Sequence, residues 1–113
     1  MKLIPHLPTN IIPHTTFTAT TWSALLHAPS NSDARFFYSI SNVSGTSPSL
    51  SIIIDYINLS GTPIFVASSN SKTTDTSGSF VVQNTPINYK VLLNITGTNP
   101  SFTVELDVQY QEL

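Results

Sequence analysis

The sequence predicts an all-β protein, a single antiparallel β-sandwich of about eight strands, immunoglobulin-like or jelly-roll-like, with an extended N-terminal arm. Three observations predict it. Runs rich in Val, Ile, Thr and aromatic residues recur every ten or so residues between clusters of Ser, Asn, Gly and Pro. Charged residues are 9% of the chain and apolar ones 40%, so the missing charge has been replaced by 31 serines and threonines and nine asparagines, which suit strands and turns rather than helices. Near the end, apolar and polar residues alternate strictly, the mark of a strand with one dry and one wet face. A length of 113 residues is enough for one core and too short for two.

Residues 1–14 alternate Pro5, Pro8 and Pro13 with Leu and Ile, and the fixed φ of proline makes them an extended arm preceding a sandwich domain at 15–113. Strands are expected near 15–21, 23–27, 35–43, 49–57, 62–68, 78–83, 87–95 and 101–111. In the last, Phe102, Val104, Leu106, Val108 and Tyr110 form the dry face against Thr103, Glu105, Asp107 and Gln109. Its predecessor places Ile87, Tyr89, Val91, Leu93 and Ile95 on one face, with Leu92 an apolar exception on the other. The run Leu50–Ile57 is apolar on both faces apart from Ser51 and Asp55, which predicts a central strand whose second face is covered or serves as an interface.

A repeat stands out at a spacing of 52 residues: the segment 42–56, Asn-Val-Ser-Gly-Thr-Ser-Pro-Ser-Leu-Ser-Ile-Ile-Ile-Asp-Tyr, aligns with 94–108, Asn-Ile-Thr-Gly-Thr-Asn-Pro-Ser-Phe-Thr-Val-Glu-Leu-Asp-Val. Each copy reads strand, turn, strand. Gly45 and Gly97 supply the positive φ of a tight turn and Pro48 and Pro100 fix its exit, so two equivalent hairpins are expected, one per half.

With the Thr-rich stretch 73–80 between them, these two segments resemble a family of small β-sandwich virion proteins encoded among the head and tail genes of tailed phages. The resemblance spans roughly residues 15–110 and includes the Ser32-Asp33-Ala34-Arg35 loop before an apolar strand. The chain departs from the family's pattern at 59–65, where Leu59-Ser60-Gly61-Thr62 and Phe65 replace an Asp-Gly turn and a Trp. The resemblance implies a capsid decoration or minor head protein on the virion surface, made in the host cytoplasm. Its partners would be the major capsid protein or other virion proteins, and it would form a homo-oligomer, a trimer if it follows a shell's threefold positions. A tail or fibre-attachment component fits equally. For such a role the arm would reach a neighbour, with Leu3, Ile4, Leu7, Ile11 and Ile12 as anchors too apolar to stay in water.

No enzyme is expected. His6, His14 and His27 lack the spacing of a metal pair, no Gly-x-Ser-x-Gly elbow exposes a nucleophile, and no cofactor motif occurs. Asp55 and Asp107, equivalent in the repeat, read as surface carboxylates, Asp55 alternatively at an interface, rather than as an acid–base pair or a calcium site, and Asp33 and Asp75 read as turn residues, Asp33 in local contact with Arg35. The sequons at Asn42, Asn58 and Asn94 are about what chance supplies in so Ser/Thr-rich a chain. A net charge of −2 with four scattered basic residues gives no footprint for nucleic acid. There is no cysteine, no signal-like apolar run and no stretch near the ~20 residues of a membrane span. Trp22 reads as a core or interface anchor, with the core favoured; a sugar-stacking platform of Trp22 with Phe36, Phe37 and Tyr38 would instead make the chain a carbohydrate-binding or adhesion module.

Overall fold

The computed structural model describes residues 4–113, with the backbone alone for Ile4 and Pro5. It is all β: β1 (Ile4–Pro5), β2 (Thr9–Phe17), β3 (Thr21–Trp22), β4 (Leu26–His27), β5 (Ser32–Ile57), β6 (Pro63–Ser68), β7 (Thr76–Val82) and β8 (Asn88–Glu112). Two strands organise everything. β5 and β8 run antiparallel along almost their whole lengths, from Ser32 opposite Glu112 to Tyr56 opposite Tyr89. In one half of this ribbon, residues 32–41 and 103–112 are flanked by β7 and by β2 with β1, giving the order β7–β5–β8–β2. In the other half, residues 49–57 and 88–96 are flanked by β6 and by β3 and β4, giving β6–β5–β8–β3/β4.

A hairpin rolled up in this way, with each long strand shared by two four-stranded layers, is the jelly-roll form of the β-sandwich. The layers face each other across one core. Phe36 of the first meets Tyr89 of the second edge-on at 6.0 Å between ring centroids, and the hydroxyls of Tyr89 and Tyr110 hydrogen-bond across the same gap. Phe36, Leu50, Ile52, Ile54, Val91, Phe102, Val104, Leu106 and Val108 are fully buried, each contributing about 1.5–3 kcal/mol through removal of its side chain from water. The alternation expected for the final strand is therefore what packs the core. Ile87 does not follow its face: it precedes β8 and is largely exposed.

The repeat has a different meaning from the one its turn chemistry suggested. Residues 35–43 do not fold back on 49–57; both belong to β5 and pair with β8, and the equivalent stretch of β8 pairs with β5. Gly45, Pro48, Gly97 and Pro100 are thus not hairpin turns but two facing kinks where the long strands cross from one layer to the other. The register shifts between Ser41 and Ser49 all fall there. The kinks mirror each other. Gly45 (φ 110°) and Ser47 (φ 48°) on one strand match Gly97 (φ 121°) and Asn99 (φ 49°) on the other. A Cβ on Gly45 would stand 2.6 Å from the Asn99 carbonyl oxygen, and one on Gly97 would stand 2.8 Å from that of Ser47. Each glycine lets the opposite backbone pass. The similarity extends outward, since β2 and β6, 52 residues apart in the repeat's frame, occupy corresponding edges, as do β4 and β7.

The expected division at residue 14 also changes. β2 runs through it, holding Thr9, Asn10, Ile12, Thr15, Thr16 and Phe17 against β8. Residues 9–14 are part of the sandwich, not a free arm.

Candidate interaction surfaces

The two outer faces of the sandwich differ in chemistry. On the β7–β5–β8–β2 layer, outward positions pair as Asp33 with Gln111, Arg35 with Gln109, Phe37 with Asp107 and Ser39 with Glu105. Polar contacts knit this face together. Asn10 Nδ2 donates to Asp107 Oδ1 at 2.8 Å, and Arg35 Nη1 donates to Ser79 Oγ at 3.2 Å. Asp33 accepts the Asn84 backbone N–H at 3.0 Å, so the expected local contact between Asp33 and Arg35 is replaced by separate partners. A shallow groove of about 380 Å³ lies between Asp33, Arg35, Val81 and Gln109.

The β6–β5–β8–β3/β4 layer turns an apolar face outward. Trp22 lies opposite Leu92, and Leu92 opposite Ile53, forming a row of three large side chains across three strands. One step along, Lys90 faces Asp55 and Asp55 faces Phe65; Ile57 faces Pro63. Phe65 is 65% exposed and Trp22 43%, so the tryptophan expected in the core is instead a surface group. Around it lie two depressions: a groove of about 240 Å³ lined by Trp22, Ile57, Gly61, Pro63 and Lys90, and a smaller hollow of about 110 Å³ between Trp22, Ile11, Phe17 and Leu93. Asp55 is flush with this face, only 7% exposed, and burial pushes its carboxyl above the usual carboxylate range. The apolar second face read from Leu50–Ile57 is this surface, and Leu92 is its centre. Phe65 was missed because β6 is short and its neighbours Ile64 and Val66 are apolar too, leaving no alternation to assign faces.

The proposed arm anchors scatter. Ile12 is buried and Ile11 packs against the core, both within β2, so they hold this chain's own sandwich together. Leu7 is 88% exposed. Leu3 lies outside the described residues, as does the side chain of Ile4, whose backbone pairs with Glu112. Beside it, His6 Nε2 meets Glu112 Oε1 at 3.0 Å, and the Gln109 side chain donates to the His6 carbonyl at 3.1 Å.

The two aspartates weighed as an acid–base pair are not brought together. Asp55 and Asp107 sit on the outer faces of opposite layers. His14 is exposed, and His27 Nδ1 pairs with Asn88 Oδ1 at 2.8 Å. Among the described residues no three His, Asp or Glu side chains gather as metal ligands. Among the described residues no helix is long and apolar enough to cross a membrane.

Comparison with solved structures finds the same fold in a longer chain. A chain in the structure of infectious bursal disease virus Gx strain aligns with 97% of this chain at a TM-score of 0.58 and 14% identity. At that identity the likeness is one of fold. The present chain spans about a third (32%) of its counterpart, so it corresponds to one part of a larger protein. No family model matches, and neither does any curated protein.

Proposed function

We propose that the chain is a virion structural protein, a capsid decoration or minor head protein of a tailed phage that stabilises the shell by contacts on its surface. The observation that carries the reading is the unequal dressing of the two layers. Decorating a shell needs a rigid body with one face suited to permanent burial, and the row Trp22–Leu92–Ile53, flanked by Phe65 and Ile57, supplies such a face, while the opposite layer, apart from the exposed Phe37 and Val81, keeps a polar, hydrogen-bonded exterior. A large aromatic at the centre of an apolar patch is a frequent anchor of protein interfaces. The jelly-roll topology and its likeness to a chain from a virus structure support the same reading. The docking element is then this sheet face rather than the first fourteen residues. A tail or fibre-attachment component would use the same chemistry at another place on the particle.

Immunogold labelling of purified particles, with antibody raised against the chain, tests the assignment. Label spread over the shell is expected; label confined to the tail moves the chain there, and absence from purified particles removes the virion reading. The chain has one tryptophan, so its fluorescence reports on the docking face directly. Binding to emptied shells should blue-shift the Trp22 emission, and Trp22→Ala with Phe65→Ser should weaken binding at least tenfold while the fold persists.

A second reading has one specific observation behind it. The groove beside Trp22, with the Lys90 ammonium at hand, has room for a sugar ring stacked on the indole. A glycan array would show a few related hits lost on Trp22→Ala if the chain is a carbohydrate-binding module.

A further inference from the structure

A sandwich of two open layers has four outer edges, and three of these carry devices that keep another strand from adding. β6 starts at Pro63 and has an irregular register where Ile54 and Asp55 pair. β2 contains Pro13 and two register shifts. The edge made by β3 and β4 consists of two-residue pieces separated by irregular chain. Prolines, bulges and very short strands all remove the regular ladder that a foreign strand would need.

The fourth edge has none of these. β7, Thr-Ser-Gly-Ser-Phe-Val-Val, pairs with β5 through seven consecutive partners, from Val82 opposite Ala34 to Thr76 opposite Ile40, without a shift. It has no proline and no charge. Among the described residues no strand pairs with its other side, and Ser77, Gly78 and Ser79 are exposed and small, leaving the backbone accessible.

We propose that β7 is a pairing edge for a second copy of this chain, the two β7 strands adding antiparallel about a two-fold axis so that one sheet continues through both molecules. The second copy is favoured because antiparallel edge pairing is self-complementary. The axis brings each row of free donors and acceptors onto its twin, satisfies both open edges at once and closes the assembly at two. Pairing of β7 with another edge of a neighbour would meet Pro63, Pro13 or a two-residue strand. β7 itself carries no charge; the Arg35 guanidinium on the outer face, which reaches Ser79 at 3.2 Å, is the charge that two paired edges would bring near its twin. The inference is independent of the virion reading.

Analytical ultracentrifugation of the full chain over a wide concentration range tests it. The expected mass rises from 12.3 kDa to twice that value, and Ser77→Lys, which leaves the Arg35–Ser79 hydrogen bond in place, holds it at the monomer mass, with an unchanged urea midpoint at concentrations where the parent chain is monomeric. Hydrogen exchange at two protein concentrations gives a second reading that needs no variant: β7 amides should exchange several-fold more slowly in the concentrated sample, with β6 amides unaffected. A chain that stays monomeric, a trimer, a dimer indifferent to the lysine, or β7 exchange independent of concentration would each overturn the proposal.

Discussion

Replacing Gly45 by alanine is the most direct test of the crossing between the two long strands. At φ 110° an alanine occupies backbone territory that L-residues rarely enter, at a cost of about 1–3 kcal/mol. Its Cβ would also lie 2.6 Å from the Asn99 carbonyl oxygen and 2.9 Å from both the Thr98 carbonyl oxygen and Pro100 Cα. All three are backbone atoms, so relief requires moving a strand, and overpacking of this kind adds about 1–3 kcal/mol. The reduced freedom of the unfolded chain returns ~0.4–1 kcal/mol. The net loss is then about 1–5.5 kcal/mol, set against the ~5–15 kcal/mol by which small domains are stable. Gly61 is the control. It also has positive φ (84°), but a Cβ there meets nothing within 4 Å, so Gly61→Ala pays the conformational cost alone. Urea titrations followed by Trp22 fluorescence, with constant slope, give the three differences. Gly97→Ala should resemble Gly45→Ala, and the double variant should cost less than the sum, because either methyl alone already prises the same crossing apart. A Gly45→Ala loss no larger than that of Gly61→Ala would refute the close approach.

Other consequences are checked as simply. Ser47 holds φ 48° where its counterpart is Asn99, and asparagine tolerates that region better, so Ser47→Asn should stabilise by ~0.5 kcal/mol in the same titration. Tyr89 and Tyr110 have hydroxyls pushed above the ordinary tyrosine range, chiefly by burial. Their native state therefore keeps protons that the unfolded state releases. Stability should be intact below about pH 10 and fall above it by up to ~1.4 kcal/mol per pH unit for each tyrosine, and Tyr89→Phe should flatten that fall in urea midpoints read from pH 8 to 11. Every strand pair joins β1–β5 to β6–β8, so cutting at the fully exposed Leu59 should leave the two pieces associated on a sizing column, while each piece made alone should lack β-type circular dichroism.

The strand content was legible because a residue's own neighbours decide it. Alternation from Phe102 to Val108 specifies a dry face whatever that face packs against, and its four positions, Phe102, Val104, Leu106 and Val108, are all buried as a consequence. The apolar outer face was half legible for the same reason: Leu50–Ile57 and Leu92 break the alternation, and both breaks fall on one surface. Its breadth was not legible, because Trp22, Ile53 and Phe65 come from three separate segments that only the strand register brings side by side.

The repeat shows where local reading stops. A Gly-Thr-Ser/Asn-Pro segment supplies a positive φ, a polar residue able to adopt a second one and a fixed exit, and those are the requirements both of a hairpin and of a strand that must kink sharply while staying paired. What distinguishes them is the partner. In a hairpin the two flanks pair with each other; here both flanks of each kink pair with the other copy, and Gly45 is needed because residues 98–100 pass within van der Waals contact of it. Two copies of one motif in one chain carry that information jointly. A lone kink would leave the facing strand nothing matching to cross, whereas two identical kinks related by a two-fold fit against each other by construction. The 52-residue spacing is therefore what a rolled ribbon requires, and a repeat of turn-like segments inside long apolar runs is better evidence for such a crossing than for a pair of independent hairpins.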